Sequence, residues 1–250
     1  MDTKNHGFTL AEVLITLGII GIVAALTLPQ MIQNYQKKEM ANKLKKFYST
    51  MTQAIKRSEI ENAEMKYWYE LDDIGSNSVK AQSVAEKYLL PYLNVVKVVP
   101  NNKNLVSWQA LNGQASGSDL TGNGNGFSSN NYYVLSDGTI LRFSAGRGIR
   151  VHVDLNGVKR PNTYGKDVFI FTISGFTTSN GSSTRSSYKF IPGSFDQFGS
   201  GTFHDFISRD VLLNNNSKSR TCSSINDSWG WACAVLIMKD GWEIKPDYPW

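Results

Sequence analysis

The stretch GFTLAEVLITLGIIGIVAALTLP, residues 7–29, decides what kind of fold this 250-residue chain can have. Residues 13–32 contain no charged side chain, and as a helix that run spans about 30 Å, enough to cross the hydrocarbon core of a bilayer. A secretory signal would need a basic start, a shorter apolar run and a small-residue cleavage site. Lys4 and Ala24-Ala25 could serve, but Glu12 interrupts the apolar stretch. A plain membrane anchor accounts for the length and leaves Glu12 unexplained, because a carboxylate at the centre of a membrane helix costs about 2.5–3.5 kcal/mol. A third reading uses every residue: a short polar leader ending at Gly7, then an apolar helix beginning at Phe8.

In that third reading the stretch resembles the type IV prepilin N-terminus shared by pilins and type II secretion pseudopilins. The resemblance rests on Gly7, Phe8, Glu12 as the fifth residue after the cut and Pro29 as the twenty-second. It implies that a prepilin peptidase cuts between Gly7 and Phe8 and methylates the new amine of Phe8. It also implies a role in assembly for Glu12. Its carboxylate would pair with the Phe8 amine of a neighbouring subunit, a contact that low dielectric makes strong. Without the resemblance, Glu12 could equally snorkel to the headgroups. Gly21 and Ala25 form a small-xxx-small pair that permits close helix contact. Pro29 lacks an amide, frees the carbonyl of Ala25 and is expected to kink or loosen the helix. In pili of this family that region is where the helix can melt.

Just beyond lies a basic flank. Lys37, Lys38, Lys43, Lys45, Lys46, Lys56 and Arg57 stand against Glu39 alone, so the formal net charge of +5 is concentrated here and the remainder is nearly neutral. A charge confined to one helical flank is no footprint of a nucleic-acid-binding face, and no nucleic-acid partner is expected. Within the flank, Leu44, Phe47, Met51 and Ile55 recur at spacings of three and four, one apolar stripe for a helix to bury. By the resemblance that stripe faces the sheet of a head domain; a basic amphipathic helix lying on anionic lipid is the alternative. The positive-inside rule would keep so lysine-rich a flank in the cytoplasm, against the head location that the leader motif and the cysteines favour.

The apolar content of 41 % and aromatic content of 12 % can build a core, and exclude collagen-like, disordered and polytopic membrane chains. Asn77 or Ser78 can cap a helix running through Val84 and Tyr88 to Pro91. Residues 112–131, crowded with Gly, Asn and Ser, are expected to form a surface loop, and their alternating glycines follow no strand, so they are no dinucleotide fingerprint. Residues 132–135 and 139–143 flank Ser136-Asp137-Gly138, a hairpin signal. Residues 149–153 and 168–173 add two strands at spacings that suit antiparallel pairing. The Ser/Gly-rich residues 177–187 are expected to form a second loop.

Two constellations carry chemistry. Asp154, Asn156 and Asp167, with Gly157, Pro161-Asn162 and Gly165 between them, place hard oxygens at calcium-loop spacing. Aspartate-bearing loops bind calcium in major pseudopilins, which the resemblance brings to this chain as a possible cofactor; the same residues are also ordinary turn chemistry. Cys222 and Cys233 fit no zinc spacing and have no histidine pair beside them. In an oxidising compartment a disulfide is their natural state, worth about 3 kcal/mol for so short a loop, and pilins often staple their C-terminal region in this way; two free buried thiols are the alternative. No HExxH, GxSxG or phosphate-loop motif occurs, so no catalytic residue is assigned and no enzyme is expected.

The expected fold is α+β: a long N-terminal helix, half of it transmembrane, packed on an antiparallel β-sheet head, as in pilins. The expected organisation is a leader at 1–7, a transmembrane and amphipathic helix at 8–57 and a head at 58–250. The resemblance implies a structural subunit of a type IV pilus or type II secretion pseudopilus. It implies a single pass through the inner membrane and a periplasmic head. Its partners would be prepilin peptidase, other pilin or pseudopilin subunits and an inner-membrane assembly platform. A membrane-anchored minor pilin serving adhesion or DNA uptake is the alternative.

Overall fold

The computed structural model describes residues 9–100, 105–113, 130–146, 148–179, 182–193, 207–214, 221–223 and 229–250. It divides into two compact units, Met1–Glu39 and Met40–Trp250. One helix, α1 (Leu10–Asn62), belongs to both and runs on through Pro29.

In the first unit, every large apolar side chain of α1 up to Ile32 is exposed, Leu26 at 75 % and Ile22 at 65 % among them. A helix that is apolar all round needs a non-aqueous surrounding or partner helices to cover it. This stretch is long and apolar enough to cross a membrane.

In the second unit the helix changes character. From Met40 onward α1 buries Met40, Ala41, Leu44, Phe47, Met51, Ala54, Ile55 and Ser58, and leaves Lys45, Lys46, Lys56 and Arg57 exposed. The buried stripe packs into one core with the inner face of a six-stranded sheet. The Phe47 ring lies 5.3 Å from that of Phe171, and Tyr48 stacks on Phe190 at 5.5 Å. The sheet is an antiparallel meander in chain order: β1 (Val95–Val99), β2 (Tyr132–Leu135), β3 (Ile140–Ala145), β4 (Ile149–Asp154), β5 (Val168–Ser179) and β6 (Ser182–Pro192). Strand alternation divides its side chains: Phe169, Phe171 and Ile173 join the α1 core, while Val168 and Ile170 join a second cluster with Trp108, Tyr132, Tyr164 and Trp231 on the other face. The architecture is therefore α+β and pilin-like, as expected.

Helix α2 (Ser78–Tyr88) is capped by Asn77, whose Oδ1 accepts from the amides of Val79 (3.0 Å) and Lys80 (3.1 Å). It adds Ala81, Val84, Ala85 and Tyr88 to the main core. The β2–β3 turn lies at residues 136–138, with Gly138 at φ 86°, a conformation that glycine adopts without penalty.

One expectation is corrected. Of the residues expected as the second loop, 177–187, the described ones are strand: 177–179 end β5 and 182–187 begin β6, in the register Thr177↔Thr184, Thr178↔Ser183 and Ser179↔Ser182. Threonine is a good strand former, and β5 already supplies a paired edge for these polar residues to extend. Residues 114–129 of the expected first loop lie outside the described residues, whereas Asn130 at its end is buried and donates through Nδ2 to the carbonyls of Ser78 (3.0 Å) and Phe143. Strand β1 and two short C-terminal helices, α3 (Arg209–Asn214) and α4 (Cys233–Lys239), were not expected.

Candidate functional site

The expected processing residues Gly7 and Phe8 lie outside the described residues; the first turn of α1 behind them is described. Thr9 donates through both its amide and Oγ1 to Glu12 Oε2, each at 2.8 Å, and the Glu12 amide lies 3.3 Å from Thr9 Oγ1. This is a capping box: the T-x-x-E spacing lets each residue satisfy the other at a helix start. Glu12 itself is exposed. The carboxylate is thereby held at the N-terminal end of an apolar helix, where the helix dipole also favours it. A little further along, added Cβ atoms at Gly18 and Gly21 would meet nothing within 4 Å, so this face is open to close approach. Thr9 was not among the expected site residues, although the three-residue spacing to Glu12 was its signal.

The aspartate loop joins the end of β4 to the start of β5, and the structure brings all three expected ligands together. Asp154 and Asp167 are buried, at 0 % and 1 % exposure. Asp154 Oδ2 accepts from the Trp108 indole at 2.8 Å, and Oδ1 accepts from the Asn156 amide at 3.3 Å. Asp167 accepts from the amides of Thr163 (2.6 Å) and Asn162 (2.8 Å), while the Asn156 side chain donates to the Arg160 carbonyl at 3.4 Å. Burial, reinforced by the nearby Asp167 charge, pushes Asp154 up to about 8. Burial raises Asp167 as well, against the pull of the Thr163 and Asn162 amides. Asn156 Oδ1 is buried and accepts no hydrogen bond among the described residues. The arrangement thus offers three hard oxygen side chains and two carboxylates whose charges are costly to bury. No group of three or more His, Cys, Asp or Glu at metal-binding distance occurs among the described residues.

Beside this loop, His152 bridges Ser144 Oγ (2.9 Å from Nε2) and Tyr164 Oη (2.8 Å from Nδ1). A serine against a histidine is part of a nucleophile arrangement, but Ser144 and His152 are 3 % and 1 % exposed, so a substrate has no approach. Burial holds His152 well below its usual range, with the Arg150 and Arg142 charges adding to the effect, so it acts as a neutral link in a core network.

Cys222 and Cys233 form a disulfide, Sγ–Sγ 2.00 Å, that ties α4 to residues 221–223. The tail is clamped again by Arg209, which donates to Asp240 (2.8 Å) and bidentately to Asp247 (2.6 Å at each oxygen). Tyr248 is buried, its hydroxyl donating to the Gly165 carbonyl, so the aromatic C-terminus is anchored to the aspartate loop.

A model of the prokaryotic N-terminal methylation motif matches residues 2–28, the stretch that contains Gly7, Phe8 and Glu12. No curated protein and no solved structure matches the chain. A model for a family of unknown function, DUF6613, matches residues 30–250, all of the head. The chain therefore belongs to the DUF6613 family, and its methylation motif and α+β architecture make it a type IV pilin-like protein.

Proposed function

We propose that this protein is a structural subunit of a type IV pilus or type II secretion pseudopilus, cut between Gly7 and Phe8 by prepilin peptidase and methylated on Phe8. The observation that carries the reading is the methylation motif at residues 2–28, which overlaps the stretch of α1 up to Ile32 whose large apolar side chains are all exposed. After processing, the Glu12 carboxylate pairs with the Phe8 amine of a neighbouring copy, and the apolar helices pack against one another in the filament core. The subunit waits in the inner membrane as a single-pass protein, with an assembly platform as its partner. Its head lies in the periplasm; the Cys222–Cys233 bridge supports that side against the positive-inside bias of the lysine-rich flank. Its role is structural, not catalytic. A minor pilin serving adhesion or DNA uptake uses the same helix and would differ in what the head binds.

Glu12→Val in the native host tests the reading. An apolar replacement is free to insert, so the variant should reach the membrane at normal levels and fail to enter filaments. A variant that assembles like the wild type would contradict the proposal.

The aspartate loop carries a second proposal, calcium held by Asp154, Asn156 and Asp167. The buried Asn156 Oδ1 without a donor favours it. Bound there, the ion would neutralise the two carboxylates and fix the loop against which Tyr248 anchors the tail.

A further inference from the structure

Charge on the head is segregated along the chain. Residues 40–57 carry Lys43, Lys45, Lys46, Lys56 and Arg57 and no acid; residues 58–77 carry Glu59, Glu61, Glu64, Glu70, Asp72 and Asp73 against Lys66 alone. The first group lies along α1, and the second forms a shoulder made of its last turn and the two 3₁₀ turns Met65–Tyr67 and Tyr69–Leu71. Some of these charges are used within the head: Lys46 pairs with Asp137, Lys66 with Glu64, and Lys80 and Lys87 with Asp73 and Glu70. Lys45, Lys56, Arg57 and Glu61 are exposed and form no ion pair among the described residues, although Glu61 accepts from the Tyr92 hydroxyl at 2.7 Å. The shoulder also exposes Ile60 at 84 %, Tyr69 at 79 % and Tyr67 at 52 %, large side chains of the kind that anchor protein contacts.

We propose that the acidic, tyrosine-bearing shoulder of one copy docks on the basic stretch of α1 of the next; this rests on the filament reading above. Charge complementarity selects the partner, because the same chain supplies both surfaces with matching counts of opposite charge. The surfaces are different, so the contact is head-to-tail, and such a contact propagates into an open filament instead of closing into a two-fold dimer. It also sets the axial stagger. At a rise of roughly 1.5 Å per residue, Glu61 lies about 8 Å beyond Lys56 and about 24 Å beyond Lys45 along α1. Lys45 and Glu61 are therefore too far apart to pair within one copy, and a Lys45–Glu61 contact reports two copies.

The test uses the full-length protein in its native host, with two double variants: Lys45→Glu/Lys56→Glu and Glu61→Lys/Glu64→Lys. Zero-length amine-to-carboxylate cross-linking of mixed light and heavy isotope cultures separates links between copies from links within one. Wild type should give links between copies that join residues 40–57 to residues 58–77. Each double variant alone should lose roughly tenfold or more of that product, because it cuts one segment's net charge from five to one and turns the Lys45–Glu61 pair into two like charges. Co-expressing the two should restore it, since every contact then has an opposite-charge partner. Filaments that form normally in each variant, or wild-type links that never join these segments, would overturn the inference and leave the filament reading intact. No product between copies, with Glu12→Val indistinguishable from wild type, would overturn both. Loss of membrane retention in Lys45→Glu/Lys56→Glu, without wild-type links between copies, would assign the basic stretch to anionic lipid and overturn the inference.

Discussion

Thr9 and Glu12 close a reciprocal cap at the start of α1, with two donors from Thr9 on a single carboxylate oxygen at 2.8 Å. A carboxylate in an apolar helix needs a partner. Here the chain supplies one from its own first turn. The cap uses Oε2 alone and leaves Oε1 for the partner that the proposed filament would bring. Thr9→Val should remove the cap and weaken the helix start by about 1 kcal/mol. Hydrogen exchange of the amides at residues 10–13, in detergent-solubilised full-length protein, should then quicken about fivefold. Unchanged exchange would show that the cap contributes nothing.

The head depends on the α1 stripe. Phe47 is buried against Phe171, so Phe47→Ala should cost about 3–5 kcal/mol through lost contact and a residual cavity. The thermal unfolding midpoint of the full-length protein reads this, and a drop of roughly 6 °C or more is expected at about 2–4 °C per kcal/mol. A shift within error would mean that the helix is not part of the head core.

Asp154 gives the head a pH dependence. Its carboxyl lies at about 8 in the folded chain, against the usual 3.8, so the folded state holds the proton that the unfolded state releases. The stability it contributes is complete below pH 3.8 and is lost as pH rises to about 8. Asp154→Asn should flatten that decline in unfolding midpoint. Calcium should flatten it in the wild type as well, by favouring the charged carboxylate, and a hundredfold excess over the dissociation constant should stabilise by about 2.7 kcal/mol. Identical melting with calcium and with chelator would leave the loop as turn chemistry alone.

Reduction of Cys222–Cys233 should cost about 3 kcal/mol and act locally. Exchange should rise first in α4 and the tail held by Arg209, while β3 and β4 stay protected. Uniform loosening of the sheet would show instead that the bridge supports the whole head.

Much of this was legible in the sequence where one physical signal dominated. Spacings of three and four among Leu44, Phe47, Met51 and Ile55 marked the buried stripe, Asp137-Gly138 marked the β2–β3 turn, and Asn77 marked the α2 cap. Two competing signals hid the rest. Residues 177–187 are polar enough to pass for loop, yet Asn180-Gly181 in the sequence is a hairpin signal and the paired strands run up to Ser179 and Ser182 on either side. Strand β1, VVKVV, is short and half exposed, so its apolar run carries no alternation to distinguish it. The proximity of Asp154, Asn156 and Asp167 could be guessed from spacing, but their burial under Trp108, and the His152 bridge between Ser144 and Tyr164, arise from tertiary packing that no local pattern encodes.

The central claim is that residues 1–7 are a leader and Phe8 is the first residue of the working subunit. Intact-mass analysis of protein purified from its native host measures this directly. The account predicts a single species that begins at Phe8 and carries one added methyl group, and a full-length precursor for Gly7→Val. A mature protein that begins at Met1, or after Ala25, would contradict it.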